Sequence, residues 1–222
     1  MSADPNPYEA YVRVRELLAL HVPRTDVPAE GLFITVHQVS ELWLATLLRE
    51  LPAVTFRLSD ADVPGAIRHL RVAVRVMSQL SSALDVLGMM LPTEFAEFRE
   101  ELGRASAIQS RQYAALVQAC RGPGPCLREA FGRLAAQKGG LGEVYRRPGG
   151  LRDAAELLVD FDDAFADWMG RHWRLARRQI GDMKGTGGHS ADYLRLQLDE
   201  RLFPELIEAR NRLYEPREVP SR

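Results

Sequence analysis

Apolar positions along the chain recur at steps of three and four, and no stretch alternates in strict period two. That periodicity predicts helices nearly throughout. Residues 7–21 carry Tyr8, Tyr11, Val14 and Leu18 on one face, before "RTDVPAE" breaks the chain. A long helix is expected from about Ala29 to Leu58, with an unusually apolar middle and a kink at Pro52. Residues 62–90 give another amphipathic helix. "LPTEF" restarts a helix, with Pro92 early, Thr93 as a cap and Glu94 and Glu97 favouring the first turns. "RGPGPC" ends that stretch. A shorter helix over 126–137, a glycine-rich loop over 138–150 and a long helix over 151–180 follow. The last helix runs from Ser190 to Leu213 and bends near Pro204. The expected fold is all-α, a helical bundle of long helices, with residues 1–222 as a single domain.

Composition narrows the class. With 222 residues, 46% hydrophobic and 27% charged, the chain is a globular protein able to bury a sizeable core. The formal net charge of −1 gives no electrostatic case for nucleic acid. No leader and no apolar run long enough for a membrane is read in it, so a cytoplasmic protein is expected. Cys120 and Cys126 mark neither a disulfide framework nor a zinc site.

The loop "GDMKGTGGHS" looks like a phosphate cradle, but its spacing does not fit. A P-loop places lysine and hydroxyl after its second glycine, whereas Lys184 precedes the Gly185–Gly188 run. A dinucleotide fingerprint follows a buried strand, whereas "RHWRLARRQI" is helical and arginine-rich. A helix–helix connection is the simpler reading.

Three clusters could carry chemistry. In "FITVHQVSELW", Phe33 and His37 share a helix face that Glu41 and Leu44 continue. Taken alone, His37 reads as a core histidine satisfied by a partner. In "EFREELGRASAIQS", Arg99 lies one turn after Phe95. It reads as a surface arginine paired within its own helix, or as a bidentate partner for a carboxylate. In "WMGRHWRLARRQIGDMKGTGG", His172 follows Trp168 by four residues. A single histidine facing an apolar cavity is how a protein holds haem iron by one axial bond, whereas non-haem sites need three or four ligands. His21 and His69 read as ordinary surface residues.

Together and in order, these motifs, with "YL" and "RLFPELIEAR" after them, resemble the tryptophan 2,3-dioxygenase family from about Tyr8 to Arg210. The resemblance implies an all-helical oxygenase holding one haem b per subunit, which opens the indole ring of L-tryptophan with O2. It implies His172 as the axial iron ligand, with Trp168 beside the haem, and His37 as the distal histidine facing the indole N–H. Phe33 packs on the indole, and Arg99 and Thr186 bind the substrate carboxylate. Tyr8, Tyr11 and Val12 line a neighbouring subunit's pocket, which implies a homo-oligomer, dimer or tetramer. The glycine loop then binds an anion after all, the carboxylate of an amino acid.

Departures from the family pattern surround the oxygen site. The segment between Arg99 and His172 is shortened. Ser106-Ala107-Ile108-Gln109-Ser110 stands where the family has Ser-Gly-Phe-Gln-Ser, so Ala107 brings a methyl to the pocket. Phe95 stands where tyrosine is common, and His189-Ser190-Ala191 replaces Ser-Ser-Gly. These changes leave three further readings open. One is a monooxygenase of secondary metabolism that turns a modified tryptophan, such as a β-methyl one, into an oxindole. Another is a non-catalytic haem-binding protein, and the last a metal-free helical interaction protein.

Overall fold

The computed structural model describes residues 6–195 and 200–214. These residues form helices and loops with no strand among them; an isolated antiparallel bridge joins Lys184 to Ser190. Three long helices make the frame: α3 (Pro28–Ser59), α4 (Val63–Leu87) and α9 (Gly150–Ile180). α4 lies between the other two and packs along both. α6 (Arg111–Arg121) and α7 (Leu127–Gln137) cover α3, and α8 (Leu141–Arg146) and α11 (Pro204–Asn211) pack together at one end. The main core joins Leu47, Leu51 and Val54 of α3 to Leu70, Met77 and Leu80 of α4 and to Leu158 and Phe161 of α9. A smaller cluster, with Val36, Leu87, Met90 and Phe98 at its centre and Phe33, Phe95 and Leu175 against it, walls the functional cavity.

Each helix boundary has a local cause. Proline opens α3, α4, α11 and α5 (Pro92–Phe98), where its missing N–H costs no bond. The N-cap of α5 is Leu91 rather than Thr93, and the Glu94 carboxylate accepts the Leu91 N–H at 2.7 Å. α3 runs on through Pro52 as one helix. The expected helix over 7–21 is instead α1 (Pro7–Val12) and α2 (Val14–Leu18), broken where Arg13 adopts a left-handed conformation (φ 58°, ψ 45°). Neither piece buries a residue. The glycine-rich loop over 138–150 contains α8. The long C-terminal helix is also corrected to two pieces, α10 (Ala191–Arg195) and α11, with Pro204 starting the second. Residues 196–199 of that expected helix lie outside the described residues.

The expectation that no segment is apolar and long enough for a membrane is corrected for α3. Its mean hydropathy reaches 1.3 over an 18-residue window, which passes on length and composition alone. Its apolar residues serve the bundle on one side, where Leu44, Leu47, Leu51, Val54 and Leu58 are buried, while Leu42 and Phe56 stay exposed.

Candidate active site

The frame leaves a cavity between α3 and α9. The chain continues past Phe98 only as a short 3-10 turn over Arg99–Leu102, which ends where Gly103 takes a positive φ (56°). The Ser106 N–H donates to Gln109 Oε1, and Ser110 caps α6 by accepting the Tyr113 N–H. This turn carries Ser106, Ala107 and Ile108 into the cavity wall. The glycine loop after α9 forms the other lip. Its Gly185 N–H bonds the His189 carbonyl at 2.8 Å, and Gly188 supplies a positive φ of 83°. A side chain at Gly187 would bring its Cβ within 2.8 Å of Ser106, so the two lips meet there only because position 187 is glycine.

The cavity has two chambers. The outer one, about 1020 Å³ with its open mouth included, is lined by Phe33, Phe95, Arg99, Thr186, His189 and Gln179 among others. The inner one, about 710 Å³ with open space likewise included, is lined by Ser40, Glu41, Tyr113 and Trp168 among others. His37, His172, Ala107 and Ile108 line both, so they stand at the neck.

The state of His37 follows from its partner. Its Nδ1 lies 2.7 Å from the Phe33 carbonyl, which can only accept. Nδ1 therefore carries the proton. Burial pushes the imidazole pKa down, against the opposing pull of that hydrogen bond and of Glu41, so the ring is neutral near pH 7. A neutral ring with Nδ1–H leaves Nε2 as a bare acceptor. The Phe33 ring packs on it with centroids 4.1 Å apart. Glu41 is itself fixed from α6, where Gln112 Nε2 donates to its carbonyl at 2.9 Å and to its carboxylate at 2.6 Å.

His172 is the counterpart on α9. Burial, with a smaller contribution from His37, takes its pKa down to about 4. It is neutral at physiological pH, with a lone pair free for a metal. Trp168 stacks one turn before it, with centroids 6.4 Å apart and planes 18° from parallel. No group of three or more His, Cys, Asp or Glu side chains among the described residues is placed to hold an ion. A metal ion bound at His172 would therefore take its other ligands not from such a cluster but from a cofactor. The chamber around it suits one: its walls are largely apolar, and the buried Trp168 indole N–H lacks an acceptor that a cofactor's periphery can supply.

Arg99 and Thr186 face each other across the mouth. The Arg99 guanidinium donates to the Lys184 carbonyl of the glycine loop, and the Thr186 hydroxyl donates to the Ala105 carbonyl of the opposite lip. Both donors are thus within the same lip-to-lip contact, and both can turn to an anion. His189 is exposed and stacks on Tyr193 at 4.7 Å, at the edge of the mouth. Tyr8 and Tyr11 are not brought to this cavity by their own chain; they are 70% and 90% exposed. Sequence reading missed the hold of Gln112 on Glu41, which are 71 residues apart, and the part of Gln179 in the wall. His69 is also more than a surface residue, since its Nδ1 pairs with Glu50 at 2.7 Å.

The helical fold thus brings two neutral histidines to one largely apolar cavity with an arginine–hydroxyl pair at its mouth. The comparisons are specific. Residues 1–119 match the family described as Tryptophan 2,3-dioxygenase. A protein of that name from Ruegeria pomeroyi (strain ATCC 700808 / DSM 15171 / DSS-3) is 33% identical over 93% of this chain and 92% of its own length. Another from Burkholderia pseudomallei (strain 668) is 34% identical over 93% and 84%, and one from Bacillus thuringiensis (strain Al Hakam) 30% over 93% and 92%. The chain belongs to the tryptophan 2,3-dioxygenase family of oxidoreductases. The alignment with the Ruegeria protein runs over 257 positions, more than this chain's 222 residues, so it contains segments the chain lacks.

Proposed function

We propose that the protein is a haem-dependent oxygenase that adds both atoms of O2 across the indole C2–C3 bond of L-tryptophan or a substituted tryptophan, giving an N-formylkynurenine-type product. The observation that carries this is the sharing of one cavity by His172, His37, Arg99 and Thr186. His172 holds the haem iron, with Trp168 against it. The haem, when bound, supplies the oxygen chemistry. Arg99 and Thr186 exchange their backbone carbonyls for the substrate carboxylate, which Arg99 meets with a planar pair of donors. Phe33 and Phe95 flank the ring, and the bare Nε2 of His37 accepts the indole N–H. Holding the substrate at both ends fixes the C2–C3 bond, and such positioning is worth several kcal/mol of the barrier. Ser106 and Ala107 bound the space left for oxygen.

The arm of α1 and α2 supports a homo-oligomer. Tyr8, Tyr11, Val12, Leu18 and Leu20 are exposed on it and find no cover on their own chain. Tyr8 and Tyr11 complete a neighbour's cavity in this reading.

A second reading rests on Ala107 and Ile108 at the neck of the cavity. There they alter the room around oxygen, as an enzyme inserting one atom into a modified tryptophan to give an oxindole would need. The test is product mass. The haem-loaded, reduced protein is given L-tryptophan and then β-methyl-tryptophan with labelled O2. Two labelled atoms in a ring-opened product confirm the dioxygenase. One labelled atom with the ring intact establishes the second reading, and no labelled product from either substrate overturns both.

A further inference from the structure

The outer face of α9 separates its charges by sign. Asp153, Glu156, Asp160, Asp163 and Asp167 stand in its N-terminal half, and Arg171, Arg174 and Arg178 in its C-terminal half. At about 100° per residue, all eight fall within a sector of about 80°. A solvated helix face gains when opposite charges stand three or four residues apart. Here only Asp167 and Arg171 form such a pair, at 2.7 Å. The other neighbours at those spacings are acid beside acid and then arginine beside arginine, which repel. The helix dipole does not account for the order, because it acts within the first and last turns, whereas Asp160, Asp163 and Asp167 lie well inside a helix of 31 residues. Two acids find cations beyond α9: Arg210 for Glu156 at 3.7 Å and Arg201 for Asp163 at 2.7 Å. Arg171 also reaches Asp85 of α4. Asp153, Asp160, Arg174 and Arg178 are exposed and have no ion pair among the described residues.

The surface that answers this pattern is the same face of a second copy. Laid antiparallel about a two-fold axis at Asp167, two such helices set Asp160 of each opposite Arg174 of the other, Glu156 opposite Arg178 and Asp163 opposite Arg171. Asp153 follows one turn beyond Glu156, at the Arg178 end. The two Asp167 carboxylates come together at the axis, each already held by its own Arg171. The matched stripe runs from residue 156 to 178, about 33 Å. Beside its basic half lies a groove of about 860 Å³, open space included, where Leu84, Met89 and Leu175 join the three arginines. Met89 is 78% exposed there. The groove gives a second copy apolar surface to cover, while the charges set register and partner, since exposed ion pairs add little affinity of their own. We infer that this face of α9 is a two-fold interface between copies of the chain. It uses no residue of α1 or α2 and does not depend on what the cavity binds.

Charge reversal on each half tests it, read as mass in solution by sedimentation of the full chain at low salt. One variant carries Arg174→Asp with Arg178→Asp, the other Asp153→Arg with Asp160→Arg. All four positions are exposed and unpaired, so both variants should fold, which thermal unfolding checks. Each variant alone is expected at half the wild-type mass, because like charges then face each other across the axis. An equal mixture of the two should return to the wild-type mass, because one variant now supplies the acids and the other the arginines. Added salt should weaken the wild-type assembly. The milder Arg174→Gln, which removes one attraction on each side and adds no repulsion, should weaken association about fivefold. Wild-type mass kept by either reversed variant alone, as an assembly through the N-terminal arm only would show, overturns the inference. So does a mixture no larger than its components, a wild type that is a monomer, or unchanged association in Arg174→Gln.

Discussion

Asp162 ties the C-terminal segment to the helix that carries His172, and its substitution gives a prediction with a definite size. The side chain is fully buried. One oxygen accepts the Leu202 N–H at 3.0 Å and the other the Phe203 N–H at 3.1 Å, so both backbone donors of that turn depend on it. Arg201 lies 4.0 Å away and spends its closer contact on Asp163. Asp162→Asn keeps the shape but replaces one acceptor with an NH2 group, which then faces a buried N–H. One charge-assisted bond is lost, about 1.5–3 kcal/mol, and a buried donor is left unmet, about 1–3 kcal/mol more. The neutral amide is easier to bury, which offsets part of this. The net loss is roughly 2–4 kcal/mol, a fall in Tm of about 5–15 °C for a chain of this size. Thermal and urea unfolding of wild type and variant measure it, with exposed Asp163→Asn as the control expected to stay within about 0.5 kcal/mol. A change below about 0.5 kcal/mol in Asp162→Asn refutes the reasoning.

Three further outcomes are expected. Gly187→Ala sets a methyl against Ser106 at 2.8 Å and forces the lips apart, so KM for the amino acid should rise about tenfold or more with little change in Tm; an unchanged KM removes that contact from the site. Cofactor-free protein should lose stability as pH falls from about 6.5 toward 4, by about 3 kcal/mol from His172 alone, since the unfolded chain protonates His172 throughout that window and the folded one only near pH 4; His37 adds to the loss in the same direction, and a flat unfolding free energy over this range would contradict both assignments. Deleting residues 1–15 should leave Tm unchanged, because α1 and α2 bury nothing of their own, yet lower kcat/KM about tenfold; full activity counts against the arm completing a neighbour's site.

The frame of the molecule was legible because three long helices bury continuous apolar faces, and a period of 3.6 survives such lengths. The breaks were less so. Residues 92–121 read as one helical stretch, yet Gly103, the Ser106–Gln109 turn and the Ser110 cap divide it, and side chains competing for backbone groups leave little trace in an apolar pattern. That division makes the cavity wall. Arg13 breaks the N-terminal arm without proline or glycine, so no residue type announced it. At the site, the spacing of Phe33 with His37 and of Trp168 with His172 placed each pair on one face. What spacing does not hold is direction. The proton on His37 Nδ1 depends on a carbonyl one turn earlier, and the hold on Glu41 comes from 71 residues away.

The central claim is that one histidine, His172, holds a haem in a cavity that also receives tryptophan. Haem titration of the wild type and of His172→Ala, followed by addition of L-tryptophan and read in the haem absorption spectrum, tests it most directly. The account predicts one haem per chain in the wild type, a spectrum that shifts on adding L-tryptophan, and loss of stable haem binding in His172→Ala. Equal haem retention by both proteins, or a wild-type spectrum indifferent to L-tryptophan, would contradict it.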